Sequence, residues 1–151
     1  MVKDVIKSLV FAAVIALAIN IFIKPVIVRG PSMEPTFRDG DFLIVDKNED
    51  IDRDDVIVFK QDGTYLIKRV IAKEGDRIFV DGNTEHVNDD KYKDAIAVGQ
   101  DEWFVMGDNR NNSYDSREFG CIKSDDIVGV VAVRLFPHPQ KHFELNNSAD
   151  K

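Results

Sequence analysis

Ser32 is the residue of this sequence best suited to act as a nucleophile. It lies in the stretch GPSMEPT (residues 30–36) between two prolines, which restrict the backbone and hold the loop in a stiff, non-helical conformation. Gly30 allows a substrate to approach the backbone closely. A loop of turn residues without any catalytic role is the alternative, and a serine hydroxyl needs a base before it can attack.

The three histidines are poorly placed to supply that base. His86 lies in a polar stretch, and His138 and His142 lie in a polar tail. None of them occupies a turn beside an apolar strand. The remaining base known for a serine nucleophile is a lysine in its neutral form.

Lys68 is the candidate lysine, because it interrupts the apolar stretch YLIKRVI (residues 65–71). The period-2 alternation of a strand places Leu66, Lys68 and Val70 on one face. Burial on that aliphatic face would disfavour the charged amine and make it a base. The alternative is a lysine at the edge of a strand that extends its amine into water.

A dense polar loop, residues 107–120, follows an apolar strand. Its alternating charges predict a loop held by its own ion pairs, Asp108 with Arg110 and Asp115 with Arg117. Such a loop could supply a hydroxyl, from Ser113 or Ser116, to orient a base.

Composition restricts the class of protein. The 151 residues fit one domain with a formal net charge of −7, and residues 1–29 are basic, so the remainder is more acidic still. An acidic domain without a basic stripe argues against a nucleic-acid partner. The lone Cys121 cannot form an internal disulfide, and it shows no zinc-ligand spacing with the histidines, so we expect no metal and no cofactor.

Leu9–Ile23 is apolar apart from Asn20 and predicts a membrane-anchoring helix. With the helix extended to Val5 the run covers ~28 Å, close to the thickness of the hydrocarbon core. A cleaved signal peptide and a buried core helix are the alternatives. Residues flanking both ends are basic, so charge alone determines the orientation poorly.

After Pro25 the pattern becomes extended, with short apolar runs separated by Asp-Gly turns. We expect a mainly β catalytic domain of antiparallel sheets, a barrel or sandwich, over residues 26–136, with 84–101 as a polar excursion. Residues 1–25 would form a cytoplasmic stub and a single transmembrane helix, and 137–151 a polar tail. Strands are predicted over residues 26–28, 41–45, 56–59, 65–71, 77–80, 103–106 and 127–135, the last with a bulge or close approach at Gly129.

These motifs together resemble those of bacterial type I signal peptidase, a membrane-bound Ser/Lys protease of the S26 type, most closely its short Gram-positive form. The resemblance is carried, in chain order, by GPSMEPT at 30–36, DVIVF at 55–59, YLIKRVI at 65–71 with Gly75-Asp76, and GDNRNNSYDSREFG at 107–120. Three positions depart from the usual family pattern. A glycine usually precedes Asp55, where Asp54 stands; an acidic residue usually follows Arg110, where Asn111 stands; and the proline usual before Gly75 is absent.

The resemblance implies Ser32 as nucleophile and Lys68 as general base. It implies that Ser113 positions the lysine, that Asp115 and Arg117 support the site, and that Gly30 lies at the oxyanion hole formed partly by the Ser32 N–H. It further implies a single-pass protein of the cell membrane, with the catalytic domain on the extracytoplasmic side, that cleaves the signal peptides of exported preproteins.

Two other functions are also compatible with the sequence. A LexA-type self-cleaving domain would share the Ser/Lys chemistry but would carry a DNA-binding N-terminus in place of an apolar helix. A catalytically silent, membrane-anchored β-domain would only bind peptides.

Overall fold

The computed structural model describes residues 2–136, apart from the side chains of residues 15–20. Helix α1 (Val2–Phe22) precedes ten strands in this part of the chain. A four-residue helix, α2 (Ser116–Phe119), lies between the eighth and ninth strands, and a 3-10 turn (Ser124–Asp126) precedes the tenth. The strands are β1 Ile23–Ile27, β2 Phe42–Asp46, β3 Val56–Gln61, β4 Thr64–Lys73, β5 Arg77–Asp81, β6 Thr84–Val87, β7 Ile96–Ala97, β8 Glu102–Met106, β9 Ile122–Lys123 and β10 Ile127–Phe136.

The predicted N-terminal helix is present as α1. Its last residue, Phe22, leads directly into β1, so Pro25 lies within an edge strand. A proline is tolerated at an edge because its missing N–H removes no essential bond of the sheet. Among the described residues, no helix is long and apolar enough to cross a membrane.

The strands form two antiparallel sheets, which confirms the prediction of a mainly β antiparallel fold. The larger sheet has the order β1-β2-β10-β3-β4-β8-β9, and the smaller has the order β6-β5-β7. The register of β10 against β3 shifts between Ile127 and Gly129, as the glycine in this strand predicts. β10 lies between β2 and β3, so the end of the domain pairs with its beginning.

Several short elements were not predicted from the sequence. Residues 84–101, expected to be a polar excursion, contain β6 and β7, which both pair with β5. The polar loop 107–120 contains α2, which begins after Asp115 with a capping box. These elements have two to four residues, too few to produce a periodic pattern. The predicted tail, including His138 and His142, lies outside the described residues.

The apolar core places the two candidate residues. Met33 is fully buried beside Ile67 in one cluster, whereas Leu66 and Val70 pack in a second cluster. Neighbouring residues of β4 thus contribute to different clusters, as the predicted alternation requires. Because Met33 follows Ser32 directly, packing of its side chain holds the serine loop against β4.

Candidate active site

The loop that carries Ser32 is fixed from two sides. Within the loop, the Glu34 N–H donates to the Pro31 carbonyl at 3.0 Å, and the Phe37 N–H donates to the Met33 carbonyl at 2.8 Å. From outside, Asn109 donates its backbone N–H to the Ser32 carbonyl at 3.0 Å and its side-chain amide to the Pro31 carbonyl at 3.2 Å. The polar loop 107–120 therefore holds the Ser32 backbone in place.

Lys68 reaches the hydroxyl of Ser32. Its Nζ lies 2.8 Å from Ser32 Oγ and donates a second hydrogen bond to the Ile67 carbonyl at 3.0 Å. The residue is only 3% exposed, which excludes the alternative of an amine extended into water. Burial lowers the pKa of Lys68, and the negative charge of Asp115 opposes this only in part. A buried amine with a lowered pKa can accept the proton of an adjacent hydroxyl.

Asp115 organises the polar loop from a fully buried position. Its carboxylate accepts hydrogen bonds from the Gly107 N–H at 3.0 Å and from Arg117 Nε at 2.8 Å, and it caps α2. Burial by itself would raise the pKa of Asp115, but the hydrogen bonds from Arg117 and Gly107 outweigh it, so the pKa is lowered. The carboxylate therefore stays ionised and stabilises the loop, as the predicted ion pair with Arg117 requires.

Ser113 lies beside Gly107, next to the carbonyl oxygen of Ser32, but its hydroxyl forms no hydrogen bond with Ser32 or Lys68. Its Oγ is buried and has no hydrogen-bond partner among the described residues. The hydroxyl contributes to the lowered pKa of the Asp115 carboxyl. The other candidate hydroxyl, that of Ser116, accepts a bond from the Val105 N–H at 3.0 Å. Ser113 is therefore the hydroxyl that remains available.

Gly30 adopts a φ of +80°, in the left-handed region where glycine is favoured, at the edge of the serine loop. Its N–H donates to Asp39 Oδ1 at 2.9 Å, and a Cβ at this position would meet open space. The Gly30 amide is therefore engaged within the loop, whereas space remains beside its Cα.

The pairing of Asp108 with Arg110 predicted from their spacing is wrong. Asp108 instead accepts two hydrogen bonds from Arg69, at 2.8 and 2.6 Å, and Arg110 pairs with Glu85 of β6. Both partners come from other strands and could not be identified from spacing within the loop. The loop is consequently tied to both sheets.

Two departures from the family pattern have a local explanation. Asp54, where a glycine is usual, adopts a φ of +73°, a conformation that aspartate tolerates better than most residues. Its carbonyl accepts a bond of 2.6 Å from Arg69 Nη1. Asn111, where an acidic residue is usual, accepts a hydrogen bond from Asn83. Both positions remain anchored within the structure.

A cavity of about 340 Å³ opens beside Ser32 and Lys68. Its walls are β1 with the residues that follow it, and the first half of β4. Its lining is mainly apolar: Lys24, Pro25, Val26, Ile27, Val28, Arg29, Ser32, Val58, Tyr65, Leu66, Ile67 and Lys68. Such a cavity can accept an extended peptide with apolar side chains.

The residue that sequence reasoning missed is Asn109. It belongs to the quoted motif of the polar loop, yet nothing in its sequence position indicates that it bonds the serine loop.

His86, the histidine of the described range, lies on β6 with its Nε2 3.2 Å from the Tyr92 hydroxyl, and it has no contact with Ser32. A serine with a buried lysine as its neighbour is typical of Ser/Lys peptidases.

The chain belongs to the signal peptidase family, peptidase S26, whose family model matches residues 2–98 and 83–136. Signal peptidase I P of Bacillus subtilis subsp. natto is 36% identical over an alignment 165 positions long, which covers 89% of this chain and 89% of that protein. A probable signal peptidase I-2 of Synechocystis is 32% identical over 89% of this chain and 73% of that protein. A crystal structure of a signal peptidase I from Enterococcus faecalis aligns with 56% of this chain and 98% of that chain, at 25% identity and a TM-score of 0.48.

Proposed function

We propose that this protein is a signal peptidase that cuts signal peptides from exported preproteins, with Ser32 as nucleophile and Lys68 as general base. The observation that carries the proposal is the distance of 2.8 Å between Ser32 Oγ and the buried Lys68 Nζ. The family membership supplies the class of substrate, because the relatives named above are signal peptidases.

In this mechanism Lys68 Nζ takes the hydroxyl proton as Ser32 Oγ attacks the carbonyl carbon of the scissile bond. The protonated amine then gives that proton to the departing amine, which leaves an ester between Ser32 and the signal peptide. Water attacks the ester while Lys68 takes its proton, and the proton returns to Ser32 Oγ as the product acid leaves. The Ser32 N–H is the proposed hydrogen-bond donor of the oxyanion hole, and the space beside Gly30 would admit the oxygen that carries the negative charge.

Ser113, Asp115 and Arg117 act as positioning residues in this proposal. Arg117 holds Asp115, and Asp115 holds the Gly107 N–H beside the serine loop. Ser113 Oγ, which has no hydrogen-bond partner among the described residues, is the hydroxyl proposed to orient the Lys68 amine. Orientation of the amine by a buried hydroxyl would favour one proton-transfer geometry.

The substrate would lie in the cavity as an extended strand along the edge of β1 that pairs with no other strand of residues 2–136. Ser32 is part of the lining of this apolar cavity, so we expect side chains one and three residues before the cut to point into its walls. We therefore expect small side chains, alanine above all, at both positions.

To test this function, the purified chain is incubated with a peptide that carries Ala-x-Ala before the cut, and the products are identified by mass spectrometry. We expect cleavage after the second alanine, and a loss of ~10–200-fold in kcat/KM when either alanine becomes leucine. Ser32→Ala is the control and should abolish product formation. Efficient cutting after leucine, or activity that survives in Ser32→Ala, would contradict the proposal.

We further propose that α1 anchors the protein in the cytoplasmic membrane, with the catalytic domain on the extracytoplasmic side. Leu9, Val10 and Phe11 follow one another in the helix and therefore point in three directions, yet each is more than half exposed. Apolar side chains that face all sides of an exposed helix are suited to lipid. The resemblance to type I signal peptidases supplies the proposed orientation.

Membrane fractionation and external protease together test this anchor. We expect the full chain to remain with membranes after alkaline extraction and its catalytic domain to be degraded when protease is added to intact spheroplasts. A variant with Lys in place of both Val10 and Val14 should be released from the membrane. A catalytic domain that is protected from external protease would contradict the orientation.

A further inference from the structure

A contact between Lys24 and Tyr65 joins the two walls of the cavity. Lys24 Nζ of β1 lies 4.0 Å from the centroid of the Tyr65 ring of β4. In the sheet, β2, β10 and β3 lie between these two strands. The contact therefore runs across the cavity rather than between neighbouring strands, and it holds an ammonium group in the cavity lining.

The electrostatics of the cavity are the opposite of those of the whole chain. The chain carries a formal net charge of −7, yet the ionisable residues that line the cavity are Lys24, Arg29 and the buried Lys68, without an aspartate or glutamate. Lys24 forms no ion pair with a carboxylate of residues 2–136, and its described partner is the face of Tyr65. A cation held on an aromatic ring keeps its charge available to a further, negatively charged group.

The position of Lys24 corresponds to a definite part of the substrate. Tyr65 precedes Lys68 by three residues along β4, or ~10 Å of extended chain. An extended substrate whose cut lies at Ser32 would therefore reach the Lys24–Tyr65 contact three or four residues from the residue that is cut. Lys24 follows the end of α1, the proposed anchor. The apolar part of a signal peptide precedes its cut, so the part of the cavity next to Lys24 would accommodate the substrate residues upstream of the cut.

We propose that Lys24, held by Tyr65, is a specificity-determining residue that favours a carboxylate and disfavours a basic side chain at the fourth or fifth position before the cut. The inference rests on the proposed function and adds a charge preference at a position that the small-residue pockets do not contact. Tyr65 has a positioning role, because its ring keeps the Lys24 ammonium over the cavity.

The test uses the full-length protein in detergent and the Ala-x-Ala peptide as parent. Pairs of peptides carry Glu or Lys at the fourth or at the fifth position before the cut, and a further pair carries the same residues at the second position after it. The readout is the ratio of kcat/KM for the Glu peptide to that for the Lys peptide. Each ratio is measured for the wild type and for the Lys24→Met, Lys24→Glu, Tyr65→Phe and Tyr65→Leu variants.

For the wild type we expect a ratio of about three- to thirtyfold at one upstream position, decreasing in 0.5 M salt, as for a partly exposed charge pair. Lys24→Met should bring the ratio close to one, and Lys24→Glu should invert it. Tyr65→Phe should keep most of the ratio, whereas Tyr65→Leu should reduce it. Lys123→Met, an exposed lysine of β9, removes the same charge away from the cavity and should leave the ratio unchanged.

A wild-type ratio near one at both upstream positions, or an unchanged preference in Lys24→Glu, would overturn the inference. A preference confined to the position after the cut would overturn it as well, because the substrate would then run in the opposite direction. These results leave the proposed function intact as long as the parent peptide is cut. Failure of the wild type to cut the parent peptide would instead refute the proposed function.

Discussion

Lys68→Arg is expected to lose about 10²–10⁴-fold in kcat/KM at pH 8, although it keeps a positive charge. A guanidinium group does not release its proton in this range and cannot accept one from Ser32 Oγ. Lysine can, because its amine is buried 2.8 Å from that oxygen and burial lowers its pKa. The measurement is kcat/KM on the Ala-x-Ala peptide for both proteins.

The pH profile of the wild-type activity follows from the lowered pKa of Lys68. The amine must be neutral to act, so activity should be low at acidic pH and rise as the pH passes through the lowered pKa of Lys68, below the ordinary lysine value of about 10.4. No step near pH 6.5, where histidine ordinarily titrates, is expected.

Lys60→Arg is the matched control for this prediction. Lys60 is exposed on the neighbouring strand β3, so its exchange for arginine should preserve both the rate and the pH profile. An active Lys68→Arg enzyme, or a wild-type profile set by a group that titrates near pH 6.5, would show that Lys68 is not the base.

Gly107→Ala is expected to have the second large effect, although Gly107 carries no reactive group. A Cβ at this position would overlap Ser113 Oγ and would lie 2.5 Å from the Ser32 carbonyl oxygen. The carbonyl oxygen of Ser32 belongs to the backbone, so the loop that carries the nucleophile must move to make room for the new Cβ. A displacement of about 1 Å at a reacting group can cost ~10²-fold in rate, and overpacking costs ~1–3 kcal/mol in the free energy of unfolding.

Activity and thermal unfolding of Gly107→Ala are measured together, with Gly82→Ala as the control. Gly82 lies in the turn between β5 and β6 at a φ of +59°, with open space around its Cα. Alanine there should cost ~1–2 kcal/mol of stability through backbone strain and should leave kcat nearly unchanged. Adding Ser113→Gly to Gly107→Ala removes one of the two overlaps and should restore only part of the activity. Full activity in the single Gly107→Ala variant would refute the claim that the Gly107 backbone positions Ser32.

The longer strands could be predicted from the sequence because each has an apolar run and a turn signal of its own. β3 and β4, joined by Asp62-Gly63, are the clearest example, and their register is continuous from Val56 with Arg69 to Gln61 with Thr64. β6, β7 and β9 could not be predicted in this way. They are two to four residues long, and their pairing with β5 and β8 stabilises them in place of an apolar pattern.

The ion pairs likewise divide into one that the sequence predicted and two that it could not predict. Asp115 and Arg117 are two residues apart at the start of a helix, where local geometry brings them together. Asp108 is bonded to Arg69, 39 residues earlier, and Arg110 to Glu85, 25 residues earlier. Spacing within a loop carries no information about such partners, because the sheet order decides which side chains face the loop.

The sequence by itself determined the kinds of residue available for chemistry: a serine in a stiff loop, a lysine within an apolar strand, and a hydroxyl-bearing polar loop. Only the tertiary structure decided that Ser32 and Lys68, 36 residues apart, lie within hydrogen-bonding distance. Period-2 alternation assigned Lys68 to one face of β4, but the 2.8 Å contact with Ser32 and the near-complete burial of Lys68 also depend on the serine loop that covers the amine. The pKa of Lys68 depends on that covering, since desolvation is a property of all the groups around an amine and not of its own strand.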